Sequence, residues 1–265
     1  MKYIIHFVSI IILVGIFQQP LSAQENRNWS AGTAYTIPQG RRETGLFQPL
    51  RNATTNTREW IIKPIIFPVF PNIAYKQQLQ QWRGGQLSYK LGFQYPTLLL
   101  RMIRKEGTGG ILAPDPTIPQ MPHMLRMRYE LLYSKPFSEA ILLTYKAGIA
   151  GAINGQDADT RTTIDLPVIY PRMAVYYNGL QFNGGIDALL RISSNLTILV
   201  DGELFWTPGY DYPIALENKL AATWHKSETF AFQFGFQHSL GEYPFGKQQH
   251  LIPIFDLIWV KKPKK

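Results

Sequence analysis

Twelve ionisable residues stand at alternating positions in otherwise apolar or aromatic runs: Lys90, Arg126, Arg128, Glu130, Lys146, Asp187, Arg191, Asp201, Glu203, Glu217, Lys219 and Asp256. An isolated charge in a dry protein interior is prohibitively costly. Residues spaced in this way must therefore face water or one another. Six are basic and six acidic, a balance that suits pairing from strand to strand and does not select ions of one sign.

Other chemistry is thinly represented. His123, His225, His238 and His250 all fall near the ends of the periodic runs, and His238-Ser239 with Glu242 close by is the best local group for a base and a nucleophile. Neighbouring residues of a strand point to opposite faces, so His238 and Ser239 are not expected to meet. Asp157-Ala158-Asp159 alternates carboxylates but lacks the spacing and distal glutamate of a calcium loop. Gly107-Thr108-Gly109-Gly110 lacks the Lys-Ser/Thr ending of a phosphate loop. Neither a metal nor a cofactor is expected, and with no cysteine there is no disulfide framework.

The elements that must position the charges are read most clearly in residues 229–238. Phe230, Phe232, Phe234 and Phe236 alternate with Ala231, Gln233, Gly235 and Gln237, the period of two of a strand with one phenylalanine face and one polar face. The same alternation recurs in residues 86–95, 123–133, 140–149, 180–189, 196–206, 214–225 and 251–259. Tyr89, Tyr95, Tyr133, Trp206, Trp224 and Trp259 lie on the apolar faces and are read as interfacial aromatics near strand ends. Near the C-terminal end, short and longer connections alternate. The expected fold is all-β: an antiparallel up-and-down transmembrane barrel of about 10–12 strands, each of roughly the ten residues a bilayer crossing needs. Phenylalanine would face lipid and the charges the lumen.

The chain divides accordingly. Residues 1–23 read as a signal peptide, with a positive start, a short apolar run and the small-residue site Leu21-Ser22-Ala23. Residues 24–42 form a polar lead-in expected at the surface, 43–260 the barrel, and 261–265 a basic tail. Within the barrel, 43–51 and 57–66 read as strands, Pro68 and Pro71 break the pattern, and 72–76 opens the next strand. Residues 96–122 form a long connection with a short helix at 97–105, and residues 150–165 carry a second. A proline-interrupted strand is expected over 166–177, turning at Asn178-Gly179. The formal charge of +9 is scattered singly along the strands, which argues against nucleic acid as a partner.

Two readings of the phenylalanine faces compete. A soluble periplasmic barrel or sandwich, the barrel binding a small ligand, would bury them and turn the charges outward; a membrane barrel reverses this. The phrases Tyr95-Pro96, Lys105-Glu106-Gly107-Thr108-Gly109-Gly110, Tyr170-Pro171-Arg172 and Gly241-Glu242-Tyr243-Pro244-Phe245-Gly246 resemble those of uncharacterised outer-membrane β-barrel proteins of Gram-negative, Bacteroidetes-type bacteria. The resemblance covers residues 40–260. It implies an outer-membrane location, with outer-membrane lipid and the barrel assembly machinery as partners, and no known activity. Many such barrels end on an aromatic residue read by that machinery, whereas this chain continues past Trp259 into Lys261-Lys262-Pro263-Lys264-Lys265. The expected role is structural, binding or small-solute transport through a plugged or narrow lumen. An enzyme acting on lipid or peptide at the rim is the alternative, and the oligomeric state is not fixed by the sequence.

Overall fold

The computed structural model describes residues 29–106, 112, 117, 120–154, 158–159, 164, 169–209, 213–243 and 246–262. Twelve strands run β1 Arg42–Gly45, β2 Leu50–Thr55, β3 Arg58–Ile62, β4 Asn72–Trp82, β5 Gly85–Gln94, β6 Met124–Pro136, β7 Ile141–Asn154, β8 Leu180–Ser193, β9 Leu196–Trp206, β10 Ile214–Ser227, β11 Phe230–Tyr243 and β12 Gly246–Lys261. Each pairs antiparallel with its neighbours in sequence, and β12 returns to β1 to close the barrel. Among the described residues, three short helices interrupt the connections: α1 Thr97–Ile103, α2 Tyr170–Met173 and α3 Val175–Asn178.

Burial follows the period of two. Along β11, Ala231, Gln233 and Gly235 are buried while Phe232, Phe234 and Phe236 are exposed. Tight turns join strands at one end of the barrel. The turn between β4 and β5 is Arg83-Gly84, both with positive φ, 47° and 77°, the backbone a two-residue hairpin requires. All the long connections lie at the opposite end.

The structure corrects the expected elements in several places. The single strand read at 43–51 is two, β1 and β2, folded back over residues 46–49. The strand read at 57–66 stops at Ile62, because Pro64 cannot donate to a ladder. The third strand is longer than 72–76 and reaches Trp82. The described part of the segment expected as a strand over 166–177 is helical, with Pro171 in the first turn of α2, where its missing N–H is no loss. Gly179 closes α3 with φ 83° rather than forming a hairpin. Tyr89 stands in the middle of β5, away from the strand ends.

Strand length divides the wall into two unequal parts. β1, β2 and β3 have 4, 6 and 5 residues, whereas β4 to β12 have between 10 and 16. Ladder pairing between β1 and β12 ends at Gly45 and Ile258, with one further bond from the Leu46 N–H to the Leu257 carbonyl at 3.2 Å, and among the described residues the stretch 246–256 of β12 has no strand partner on that side. The wall is therefore shorter at β1 to β3 than along β12, while the long-loop half of β4 is covered, with residues 74–77 paired to residues 58–61 of β3. The turn between β1 and β2 is held by Asp256, which accepts the backbone N–H groups of Leu46, Phe47 and Gln48 at 2.7, 3.2 and 2.7 Å. A Cβ on Gly45 would lie 2.6 Å from this carboxylate, so the strand end needs glycine there. Residues 63–71, with three prolines, connect β3 to β4 and expose Ile65 and Phe67. Pro253 sits in the unpartnered stretch of β12, where a missing N–H is best tolerated.

Candidate functional site

The barrel interior is closed at its short-turn end by the chain's own N-terminal segment. Residues 29–41 lie inside the wall and touch strands all round it, which corrects the expected surface position. Ala34 N–H donates to Ser134 Oγ of β6 at 2.8 Å, Ile37 N–H to Glu59 of β3 at 3.0 Å, and Thr36 Oγ1 to Gln78 of β4 at 2.7 Å. Trp29 packs on His225 of β10 with ring centroids 4.9 Å apart. Ser30, Thr33, Ala34, Thr36 and Ile37 are all buried. A segment that meets β3, β4, β6 and β10 at once must cross the lumen.

Beneath it runs a chain of buried ion pairs that sequence reading missed. Arg41 pairs with Glu43 at 2.7 Å, Arg51 with Glu43 at 3.1 Å and with Glu59 at 2.9 Å, and Lys76 with Glu59 at 3.3 Å. Glu59 is fully buried, and the others are at most 5 % exposed. The network also holds the segment: Arg51 donates to Ser30 Oγ at 3.1 Å and Lys76 Nζ to the Tyr35 carbonyl. These residues were legible as charges on alternate positions. The strands are short and interrupted by polar residues, so their phase could not be read.

Of the twelve charges singled out above, most converge on the middle of the lumen. Glu130 accepts Lys90 at 3.3 Å and Arg128 at 2.6 Å, and Arg128 also reaches Glu203 at 2.8 Å. Lys146 lies between Asp187 and Asp201 at 2.6 and 3.1 Å. Lys219 faces inward opposite Asp201 in the ladder. Glu217 is bound by Arg172 of α2 and by Gln237 at 3.0 Å. Asp256 holds the backbone of the turn between β1 and β2, and Arg191 points inward near the short-turn end. Arg126 differs from the rest: its guanidinium reaches Gln94 Oε1, the Arg172 carbonyl and Gln181 Oε1 at 3.2, 3.2 and 3.3 Å, all neutral acceptors. Its buried Nε has no hydrogen-bond partner.

At the long-loop end, α1 and the α2–α3 pair turn into the barrel mouth. Leu100, Ile103, Met121, Met124, Val175 and Tyr176 form an apolar cluster there. Gln181 Nε2 ties α2 to β8 through the Pro171 carbonyl at 2.6 Å. Burial pushes the Tyr176 phenol well above its ordinary pKa. Between this cap and the N-terminal segment, Lys90, Arg128, Arg172 and Asp201 keep side-chain exposures of 20–34 %. Water therefore reaches the charged middle layer.

The outer surface carries the aromatics. Phe232, Phe234 and Phe236 are 37–48 % exposed, and Phe230 is half-buried against Trp259. Tyr133, Trp224 and Trp259 ring the short-turn end, while Tyr95 and Trp206 stand at the long-loop end, stacked on His123 and Phe182. Tyr89 stacks on Tyr129 between the two. His238 also lies outside, with Asn218 at 3.3 Å and Gln249 at 2.9 Å on its two ring nitrogens. Ser239 is buried on the opposite face, so the two do not meet. Asp157 and residues 107–110 lie outside the described residues. Among the described residues, no group of three His, Asp or Glu side chains could hold a metal ion.

No protein-family model matches the chain, and no curated protein matches it. Among solved structures, the crystal structure of an outer membrane channel from Pseudomonas putida F1 is similar, with a TM-score of 0.44 and 8% identity over 87% of this chain and 98% of that one.

Proposed function

We propose that this protein is an outer-membrane barrel of a Gram-negative bacterium, exported by its signal peptide, inserted by the barrel assembly machinery, and acting in the binding or passage of small solutes through a lumen plugged by its own N-terminal segment. The observation that carries the reading is the reversal of polarity across one closed wall. Large apolar side chains point outward on every long strand, and ion-paired side chains point inward. A soluble barrel would bury the apolar face. A bilayer instead requires an apolar exterior with every strand edge closed or covered. Aromatics at both ends of the outer face support contact with outer-membrane lipid.

Heat-modifiable gel mobility of the membrane fraction tests this. The folded protein should migrate anomalously until boiled. Recovery from the soluble periplasmic fraction, with mobility unaffected by heating, would sink the membrane reading.

A further inference from the structure

Just beyond its aromatics, the short-turn end of the outer face carries a pair of cations. Lys261 closes β12, two residues after Trp259 and on the same face, and Arg42 opens β1 directly opposite it in the ladder. Both side chains are exposed. Like charges set opposite one another across a ladder repel. Among the described residues neither has a carboxylate partner: Arg42 Nε donates to Asn52 Oδ1 at 3.0 Å, and Glu228, in the turn beside which β12 ends, pairs with Lys262. Arg58, Arg83, Lys135 and Lys226 are exposed at the same end, where the exposed carboxylates among the described residues are Glu139 and Glu228. The pair thus stands in a field of its own sign, at the level where an aromatic belt places lipid headgroups.

The ladder leads from this pair to an apolar groove. Arg42 lies opposite Asn52, Asn52 opposite Trp60, Trp60 opposite Tyr75, and Tyr75 opposite Leu91. Trp60, Tyr75 and Leu91, with Ile73 and Phe93, line a groove of about 280 Å³ on the outer face of β3 to β5. The strands of a closed barrel are tilted, so this rung climbs. It starts at the short-turn ends of β12 and β1 and reaches the long-loop half of β4, where Tyr75 is the fourth residue. Three strand spacings separate Arg42 from Tyr75, about 14 Å at about 4.8 Å each. That is close to the depth of one leaflet, about half of a hydrocarbon core of about 30 Å.

We propose that this rung seats an anionic glycerophospholipid from the leaflet at the short-turn end, with its phosphate between Arg42 and Lys261 and one acyl chain rising into the groove. This rests on the membrane-barrel reading. Asn52, whose Oδ1 accepts Arg42, keeps its amide N–H groups for the ester carbonyls between head and chain. Charge complementarity selects the occupant: a zwitterionic lipid brings a further cation to the pair, and a free phosphate leaves the groove unused. Short turns of transmembrane barrels face the periplasm, which places the site in the phospholipid leaflet, away from lipid A.

The test reconstitutes the full-length protein in phosphatidylcholine vesicles containing a rising fraction of phosphatidylglycerol with brominated acyl chains. Tryptophan quenching is compared with that by phosphatidylcholine brominated in the same way. Phosphatidylglycerol should bind at least about fivefold more tightly, the scale of one cation's attraction to an anionic headgroup. Exchanging both cations, Arg42→Gln with Lys261→Gln, should bring that ratio to about one. Lys261→Gln alone, at an exposed side chain with no partner to lose, should lower it at least about twofold. Arg58→Gln, at the same end but off the rung, should leave it unchanged, and Trp60→Phe should reduce the excess quenching while both cations remain. Variants are compared where they keep heat-modifiable mobility. A loss in Arg58→Gln as large as in Lys261→Gln would reduce the site to a diffuse field, and undiminished excess quenching in Trp60→Phe would remove the chain from the groove; either overturns the proposal. So does lipid A displacing the brominated phosphatidylglycerol as well as unlabelled phosphatidylglycerol does. Equal quenching by the two brominated lipids in a heat-modifiable wild type overturns this inference alone, whereas a wild type without heat-modifiable mobility overturns the barrel reading beneath it.

Discussion

Glu59 shows how much a single side chain carries in this interior. It receives Arg51, Lys76 and the Ile37 N–H, and no part of it is accessible to water. Removing one partner of a buried ion pair leaves the other charges uncompensated, at a cost of about 3–5 kcal/mol. Glu59→Ala should lose that much stability in urea unfolding followed by tryptophan fluorescence. Glu242→Ala, which removes a pair whose Lys247 side chain is 82 % exposed, should change it by less than about 0.5 kcal/mol. On the outer face, Phe234 is 48 % exposed at the middle of β11. Phe234→Arg should cost about 2–4 kcal/mol if that face meets lipid, with Phe234→Leu close to wild type. Unimpaired assembly of the arginine variant would count against lipid contact.

The N-terminal segment is the element with the largest expected effect on passage. Its hydrogen bonds reach β3, β4 and β6, and its ring contact reaches β10. A variant lacking residues 29–40 should therefore open the short-turn end without cutting any strand. In planar bilayers it should give larger and more frequent conductance steps than the full chain; indistinguishable traces would show that the segment does not limit flow. Strands β1 to β3 are the weak part of the wall, because short ladders give each backbone hydrogen bond fewer cooperative neighbours. Amide exchange over residues 42–62 should outpace that over 180–206 by at least about tenfold.

For the molecule as a whole, the barrel was legible because its signal is the alternation itself. Residues 229–238 carry it with almost no interruption, and β6 to β12 carry it with single exceptions. Pairing of consecutive strands follows, since tight turns such as Arg83-Gly84 leave a strand no other neighbour. The readings failed where prolines and polar residues broke the alternation. β1 and β2 read as one strand, and the segment of α2 and α3 reads as a strand because Leu, Val, Ile and Tyr residues at 166–177 do not declare a period.

The charges of the middle layer could be placed on one face from the sequence, because a strand's phase fixes every second side chain at once. Their partners could not, because Arg128 and Glu203 are 75 positions apart and meet only when the sheet closes on itself. The polar segment 29–41 reads as a surface tail by composition. It is buried because its backbone groups and hydroxyls supply the hydrogen bonds that the inward charges of β2 to β4 require. The prolines after Lys63 mark the end of a strand in the sequence. Only the closed barrel sets that early end in one wall with a β12 four times the length of β1, because strand neighbours are fixed by closure and not by the sequence of either strand.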